Sequence, residues 1–460
     1  MLALTSVASF MVALDGTVVT TALTRIRADL GASLAELEWT LNAYALSFAV
    51  LLMAGAAIGD RVGRRRMFMI GIAVFAASSA ACALAPGMGW LIAARTVQGA
   101  GAALVMPLAM ALLSAAFAPE QRARALGIFS GLSGVAVLAG PVVGGAIAQG
   151  LAWQWIFWLN VPIGLTAIVL VRARTEESFG ARAAIDVAGV ALITGAALGL
   201  AWGLVRANSA GWGSAEVLAS LCAGALLTGA FVAWELRARQ PMLPMRFFAS
   251  RAFASGNAAG FFFYGALYGA IFFVAQFLQI GQGYGPLSTG LRMLPWTATL
   301  FLVAPIAGAR INRIGERPLV VGGLVLQAIG MGWIALIAAP DVAYAALVAP
   351  MVLAGAGVSM AMPAAQSAVM RSVAREEVGK AAGTFNMLRF LGGAFAIAIV
   401  SAVFAGSGGY ASAGAFSDGF AAAIGVCSGL SLLGAIAATA LPRLRRAPQV
   451  ADAQPIPATS

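Results

Sequence analysis

Fourteen apolar runs, most of them about 20 residues long, follow one another along this 460-residue chain with short polar stretches between them. They fall roughly at 2–23, 39–59, 67–85, 90–116, 125–149, 155–171, 185–205, 216–236, 253–280, 289–309, 318–339, 343–367, 381–405 and 418–441. A run of that length is what a helix needs to cross the hydrocarbon core of a bilayer. Lipid offers no hydrogen-bond partners, so the backbone must pair internally, in helices or in a closed barrel. Barrel strands would show alternating segments of about ten residues, and these runs are continuous. The expected fold is therefore all-α and membrane-embedded. Composition agrees: 61% of the residues are apolar and 10% charged, against about 25% charged in a soluble domain. The lipid bilayer is the partner that such a surface requires.

The net charge of +11 does not point to nucleic acid, because the charges sit in short clusters between the apolar runs. Stretches after even-numbered runs, with the C-terminal tail, carry 22 of the 28 Lys and Arg residues. The opposite side carries Arg25, Arg27 and Arg206, and Arg95, Arg292 and Arg389 lie within runs. By the positive-inside rule this asymmetry places both termini in the cytoplasm of a multi-pass protein of the cell (inner) membrane. An even number of spans is required for that, and fourteen satisfies it. The first run lacks the basic leader and cleavage site of a signal peptide, and its start at the very beginning of the sequence leaves open a start upstream of Met1.

Three residue types narrow the chemistry. Cys82, Cys222 and Cys427 all fall inside apolar runs, so they read as packing residues rather than a disulfide framework. The chain has no histidine, so a proton relay must use carboxylates, and no metal site or cofactor is expected. Lys380 is the sole lysine and is followed by Ala381, with Ala374 where a phosphate-binding loop would need its first glycine. Without that loop, active transport must draw on an ion gradient.

The chain also repeats itself. Residues 56–65 (AAIGDRVGRR) follow the second run, and 308–317 (GARINRIGER) follow the tenth in the same setting. A weaker pair, 120–127 (EQRARALG) and 376–383 (EEVGKAAG), lies two runs later in each half. An offset of eight runs reads as two pseudo-symmetric six-helix halves with an extra helix pair between them. The expected division is 1–184, 185–252 for the inserted pair and its linker, 253–441, and a disordered tail at 442–460. Parallel repeats of this kind are a transporter architecture, with substrate bound near the midplane between the halves.

Asp15 reads as the only carboxylate deep inside a run, with Asp186, Glu216, Glu235 and Asp418 near run ends, where water reaches them. Burying a carboxylate costs several kcal/mol unless it is paired or protonated, so Asp15 is a candidate proton carrier, or else a structural hydrogen-bonding group. Arg95 is its natural partner. Counted from the cytoplasm-distal run ends at about 1.5 Å per residue, Asp15 lies roughly 13 Å deep and Arg95 roughly 8 Å, within the reach of an arginine. Gln98 lies one turn further on the same face. The stretch Asp60, Arg61, Val62, Gly63, Arg64, Arg65, Arg66 combines a turn with an acid and a basic cluster, and its partial repetition suggests a gating loop beyond a topogenic signal. Asn42, Gln276, Gln366, Asn386 and Arg389 are the remaining candidate polar residues of a cavity.

Together these residues resemble the major facilitator superfamily, and within it the fourteen-span drug/proton antiporters, over nearly the whole chain. Asp60–Arg66 is similar to the superfamily's loop between spans 2 and 3, with Ala56 where glycine is usual. Gly127, Ala136, Gly140, Pro141, Gly144 and Gly145 resemble the antiporter signature of span 5, with Ala136 replacing one glycine. Arg95-Thr96-Val97-Gln98-Gly99 resembles the span-4 signature whose arginine is implicated in proton transfer, and Leu14-Asp15-Gly16-Thr17 the span-1 signature. The resemblance implies a proton-coupled exporter of small, lipophilic drugs or metabolites, acting as a monomer by alternating access. With Arg95, Arg292 and Arg389 set against one deep acid, neutral, zwitterionic or anionic substrates fit as well as cations. A nutrient importer of the same fold and a non-transporting membrane sensor are the alternatives. No nucleophile–base pair or metal cluster marks an enzyme.

Overall fold

A computed structural model describes residues 2–117, 119–180, 185–374 and 377–443. Arg182, Arg375, Glu376 and residues 444–460, with Arg445 and Arg446, lie outside the described residues, as do the side-chain surroundings of Glu120, Arg122, Arg124 and Gly127. The first half runs through α1 (Leu2–Val18), α2 (Leu23–Leu30), α3 (Leu34–Val62), α4 (Arg64–Ala83), α5 (Met88–Ala116), α6 (Pro119–Gly150), α7 (Trp155–Trp158) and α8 (Asn160–Arg174). The inserted pair is α9 (Val187–Ala210) and α10 (Ala215–Glu235). The second half runs through α11 (Arg251–Gln276), α12 (Pro286–Arg292), α13 (Leu294–Thr297), α14 (Thr299–Ile314), α15 (Glu316–Ile337), α16 (Tyr344–Met370), α17 (Val378–Ser407) and α18 (Ala413–Ala438). Among the described residues, counting helices that continue across a short break as one, 13 are long and apolar enough to cross a membrane. The remaining expected span falls on α6, a helix of 32 residues.

The breaks have local causes. Thr17, Thr20 and Thr21 bond back to the carbonyls of Leu14, Thr17 and Val18, which competes with the helical ladder, and α1 tightens into a 3₁₀ turn over Val19–Thr21. The expected run at 289–309 is three helices, α12 to α14, with Pro295 in the first turn of α13, where its missing N–H costs nothing. α3 begins at Leu34, before the expected 39, because Ser33 and Glu36 form a reciprocal capping box.

The repeat is visible in the backbone. Gly63 ends α3 and starts α4 at φ 124°, and Gly315 ends α14 and starts α15 at φ 91°. A side chain at either position would be strained, so glycine makes the hinge. α9 packs against both α3 and α17, and α10 packs on α9. Leu46 and Val50, Ile193 and Ala197, and Met387 and Leu391 form one apolar cluster at that seam.

The halves meet on the membrane face that carries few arginines. There α6 lies against α12: a Cβ on Gly145 would meet the Pro286 carbonyl carbon at 2.8 Å, and one on Gly290 would meet that of Pro141 at 2.9 Å. Gln149 accepts from the Leu287 N–H at 3.1 Å, Gln279 donates to the Thr21 carbonyl at 2.9 Å, and Arg27 stacks 3.6 Å over the Tyr410 ring. On the arginine-rich face, Asp60–Arg64 at 2.6 Å and Glu316–Arg371 at 3.2 Å each pair within one half, and Arg246 of the linker pairs with Glu377 of the second half.

Candidate functional site

The site centres on Asp15, in the last turn of α1 before its 3₁₀ break. Arg95 of α5 places Nη1 2.5 Å from Asp15 Oδ2, and both side chains are fully buried. Gln98, one turn along α5, donates to Asp15 Oδ1 at 3.0 Å and accepts from Arg95 Nη1 at 2.7 Å. Asn160, the first residue of α8, donates to the same Oδ1 at 3.0 Å and to Ser79 Oγ at 3.0 Å. Ser79 in turn donates to the Phe157 carbonyl at 2.8 Å. Arg95 is further fixed by Nε, which donates to the Thr40 carbonyl at 3.2 Å, and by the Tyr44 ring 4.3 Å from its guanidinium carbon. Arg95 Nη2 alone has no partner among the described residues.

Charge-assisted hydrogen bonds are about twice as strong as neutral ones, and Asp15 accepts three donors from two helices. Removing one member of a buried pair typically costs about 3–5 kcal/mol, because the other charge stays buried and alone. A proton on Asp15 would do the same electrostatically: it cancels the anion and loosens Arg95, Gln98 and Asn160 together. One carboxylate thus ties α1, α5 and α8 together.

The other arginines within spans have no carboxylate partner among the described residues. Arg389 of α17 donates to Tyr268 Oη at 3.0 Å and lies 4.4 Å over the Tyr264 ring. Arg292 lies 3.8 Å over Tyr284 and 5.1 Å over Tyr344. Between Arg95 and Arg389 runs a chain of rings that crosses the two halves. Tyr44 stacks on Phe48 at 6.2 Å, Phe48 meets Phe390 edge-on at 4.4 Å, and Phe390 stacks on Tyr268 at 6.1 Å.

The antiporter-like glycines are contact points. Gly140 and Gly144 seat α6 on α1: a Cβ on Gly140 would meet Thr17 Cβ at 2.8 Å, and one on Gly144 would meet Thr21 Oγ1 at 2.6 Å. Gly145 faces α12, with Pro141 one turn before it on α6. In the arginine loop, Asp60 pairs with Arg64, and Arg61 is exposed. Arg65 donates from Nη1 to the Thr175 carbonyl at 2.9 Å, and Glu177 accepts from the backbone N–H groups of Arg65 and Arg66 at 2.8 and 3.2 Å. Glu177 thus sits at the N-terminus of α4, where the helix dipole favours an anion.

Several expectations change. Asp15 is not the only deep carboxylate: Glu38 is fully buried because α3 starts before the expected 39, and Glu235 is 3% exposed and accepts from the Leu243 N–H at 3.1 Å. Cys222 is exposed on α10, whereas Cys82 and Cys427 are buried. Of the expected cavity residues, Gln98 joins Asp15. Asn42 is buried with neither amide atom partnered among the described residues. Asn386 donates to the Ala382 carbonyl at 2.9 Å. Gln276 lies apart, accepting from Tyr410 Oη at 2.6 Å, and Gln366 is exposed. Asn160 and Glu177 went unread; an asparagine inside an apolar run is costly enough to have drawn notice.

A two-half helical bundle latched at one membrane face, with a buried ion pair between its helices, defines a membrane transporter. The family model described as Major Facilitator Superfamily matches residues 5–397 and 257–457. The tetracenomycin C resistance and export protein of Streptomyces glaucescens is 35% identical over 406 residues, 87% of this chain and 74% of that protein. The cephamycin export protein CmcT of Amycolatopsis lactamdurans is 35% identical over 418 residues, 88% of this chain and 85% of that protein. The multidrug transporter MdtP of Bacillus subtilis (strain 168) is 32% identical over 404 residues, covering 86% and 73%. Among solved structures, a POT family transporter with a thioalcohol-conjugated peptide superposes with a TM-score of 0.72 at 12% identity, covering 95% of this chain and 94% of that one. A bacterial homologue of the lysosomal transporter Spinster, inward-facing and occupied, gives 0.69 at 16% identity, covering 97% and 98%. The chain belongs to the major facilitator superfamily.

Proposed function

We propose that the protein exports small, lipophilic molecules, drugs or metabolites, in exchange for protons. The observation that carries this reading is Asp15, buried with Arg95 and bound by three donors at the seam of α1, α5 and α8. The named activities of its relatives, resistance to and export of antibiotics, support the direction of transport. The arginine-rich face is cytoplasmic, so both termini lie inside the cell membrane and the latched face is the outer one. In this conformer Arg95 engages Asp15 and the outer path is closed. Substrate then binds between the halves, the outer seam opens, and a proton from outside takes the carboxylate as substrate leaves.

The halves act as units 1–184 and 253–441, with 185–252 as a seam-filling pair, and the protein works as a monomer without enzymatic activity or nucleic-acid partner. The ring chain from Tyr44 to Tyr268, ending on Arg389, favours planar aromatic substrates of neutral or anionic character. The test is uptake of such compounds into inverted membrane vesicles with and without a pH gradient. Uptake that rises with interior acidification and collapses with a protonophore supports the reading. Uptake indifferent to the gradient contradicts it.

A further inference from the structure

Among the described residues, Glu38 is the one fully buried carboxyl that the Asp15 site leaves unused. It lies in the second turn of α3, about 6 Å from the helix start at 1.5 Å per residue, and so near the outer face. Neither of its oxygens has a partner among the described residues. Its side chain faces α17 of the other half, where the buried Ser401 hydroxyl lies beside it without completing a hydrogen bond. Asn42 follows one turn deeper on the same helix face, also buried and unpartnered.

Among the described residues, the elements packed on α3 supply Glu38 with no cation. Arg95 of α5 is held by Asp15, Gln98 and the Thr40 carbonyl. Arg206, a turn beyond the Trp202 of α9 that touches Trp39, pairs with Glu216 at 3.2 Å. Beyond α17, Tyr410 is engaged by Gln276 and lies under Arg27. An ionised carboxylate cannot stay buried on those terms, so in the closed seam Glu38 carries a proton. Separating α3 from α17 on the outer side would uncover it to water.

We propose that Glu38 is a second protonatable residue of the transport cycle, one that must take a proton from the outer side before the outer path can close. Low outer pH then favours closure and high pH holds the path open, since closure buries a carboxyl with no cation beside it. The proposal rests on alternating access but not on the role given to Asp15.

The test places spin labels at Ala35→Cys and Ser407→Cys, at the outer ends of α3 and α17, with exposed Cys222 replaced by serine. Distances are measured in lipid nanodiscs from about pH 5 to about pH 9, a range that brackets carboxylates shifted by burial. Asp15→Asn forms the background throughout, so that the other acid is silent. In that background the closed-to-open ratio should fall by about tenfold per pH unit above the transition, the slope of a single proton. Adding Glu38→Gln should leave the closed form dominant at every pH, and Glu38→Met, apolar and of similar length, should do the same. A pH response that persists with either Glu38 substitution, or that is already absent in Asp15→Asn alone, would overturn the proposal.

Discussion

Asp15 Oδ2 and Arg95 Nη1 lie 2.5 Å apart, 80 positions apart in the chain, with neither side chain reaching solvent. Gln98 closes the pair into a ring of hydrogen bonds, and Asn160 extends it to α8. Their contacts tie the charge on one carboxyl to three helices of the first half.

Asn160 should act through Asp15 rather than on substrate. Asn160→Leu removes a donor to a charged acceptor, worth about 1.5–3 kcal/mol, and leaves Ser79 without that donor. Gradient-driven transport should fall several-fold, while substrate affinity measured at equilibrium changes little. Paired transport and binding assays check this; an equal loss in both would make Asn160 part of the substrate site.

The arginine loop should govern cycling. Gly63→Leu places a side chain at φ 124°, where a Cβ would also meet the Glu177 carboxyl carbon at 2.8 Å. Glu177→Ala strips the α4 N-terminus of its anion, a loss of about 0.5–2 kcal/mol for a helix cap. Both variants should lower turnover with binding kept within about threefold. Normal turnover with weakened binding would refute the gating role.

Gly145 and Gly290 bring α6 and α12 into backbone contact across the outer seam. Gly145→Leu overpacks that contact at about 1–3 kcal/mol, a cost borne by the closed state. An imposed pH gradient in proteoliposomes without substrate should decay faster than with the parent protein, and export should drop. A pH-sensitive dye at matched protein content reads the leak; a rate equal to the parent's would reduce Gly145 to ordinary helix packing.

Much of this arrangement was legible in the sequence for physical reasons. Apolar run length revealed the spans because lipid enforces it, and Asp15 and Arg95 stood out because charge is costly in hydrocarbon. The hinge glycines showed through repetition at 56–65 and 308–317. Glu38 escaped because Glu36 and Glu38 broke the apolar run, although Ser33 and Glu36 carried the capping signal for an earlier start. Asn160 escaped because its partners lie 145 and 81 residues away, and no local spacing links them.

If Asp15 carries the coupled proton, Asp15→Asn must uncouple transport from the gradient. The amide keeps the size and most of the hydrogen bonding but cannot bind and release a proton. In inverted vesicles with matched protein content, parent, Asp15→Asn and Asp15→Glu are compared with and without a pH gradient. The account predicts that Asp15→Asn transports with the gradient no faster than without it, while Asp15→Glu keeps part of the stimulation. Full gradient-driven export by Asp15→Asn would contradict it.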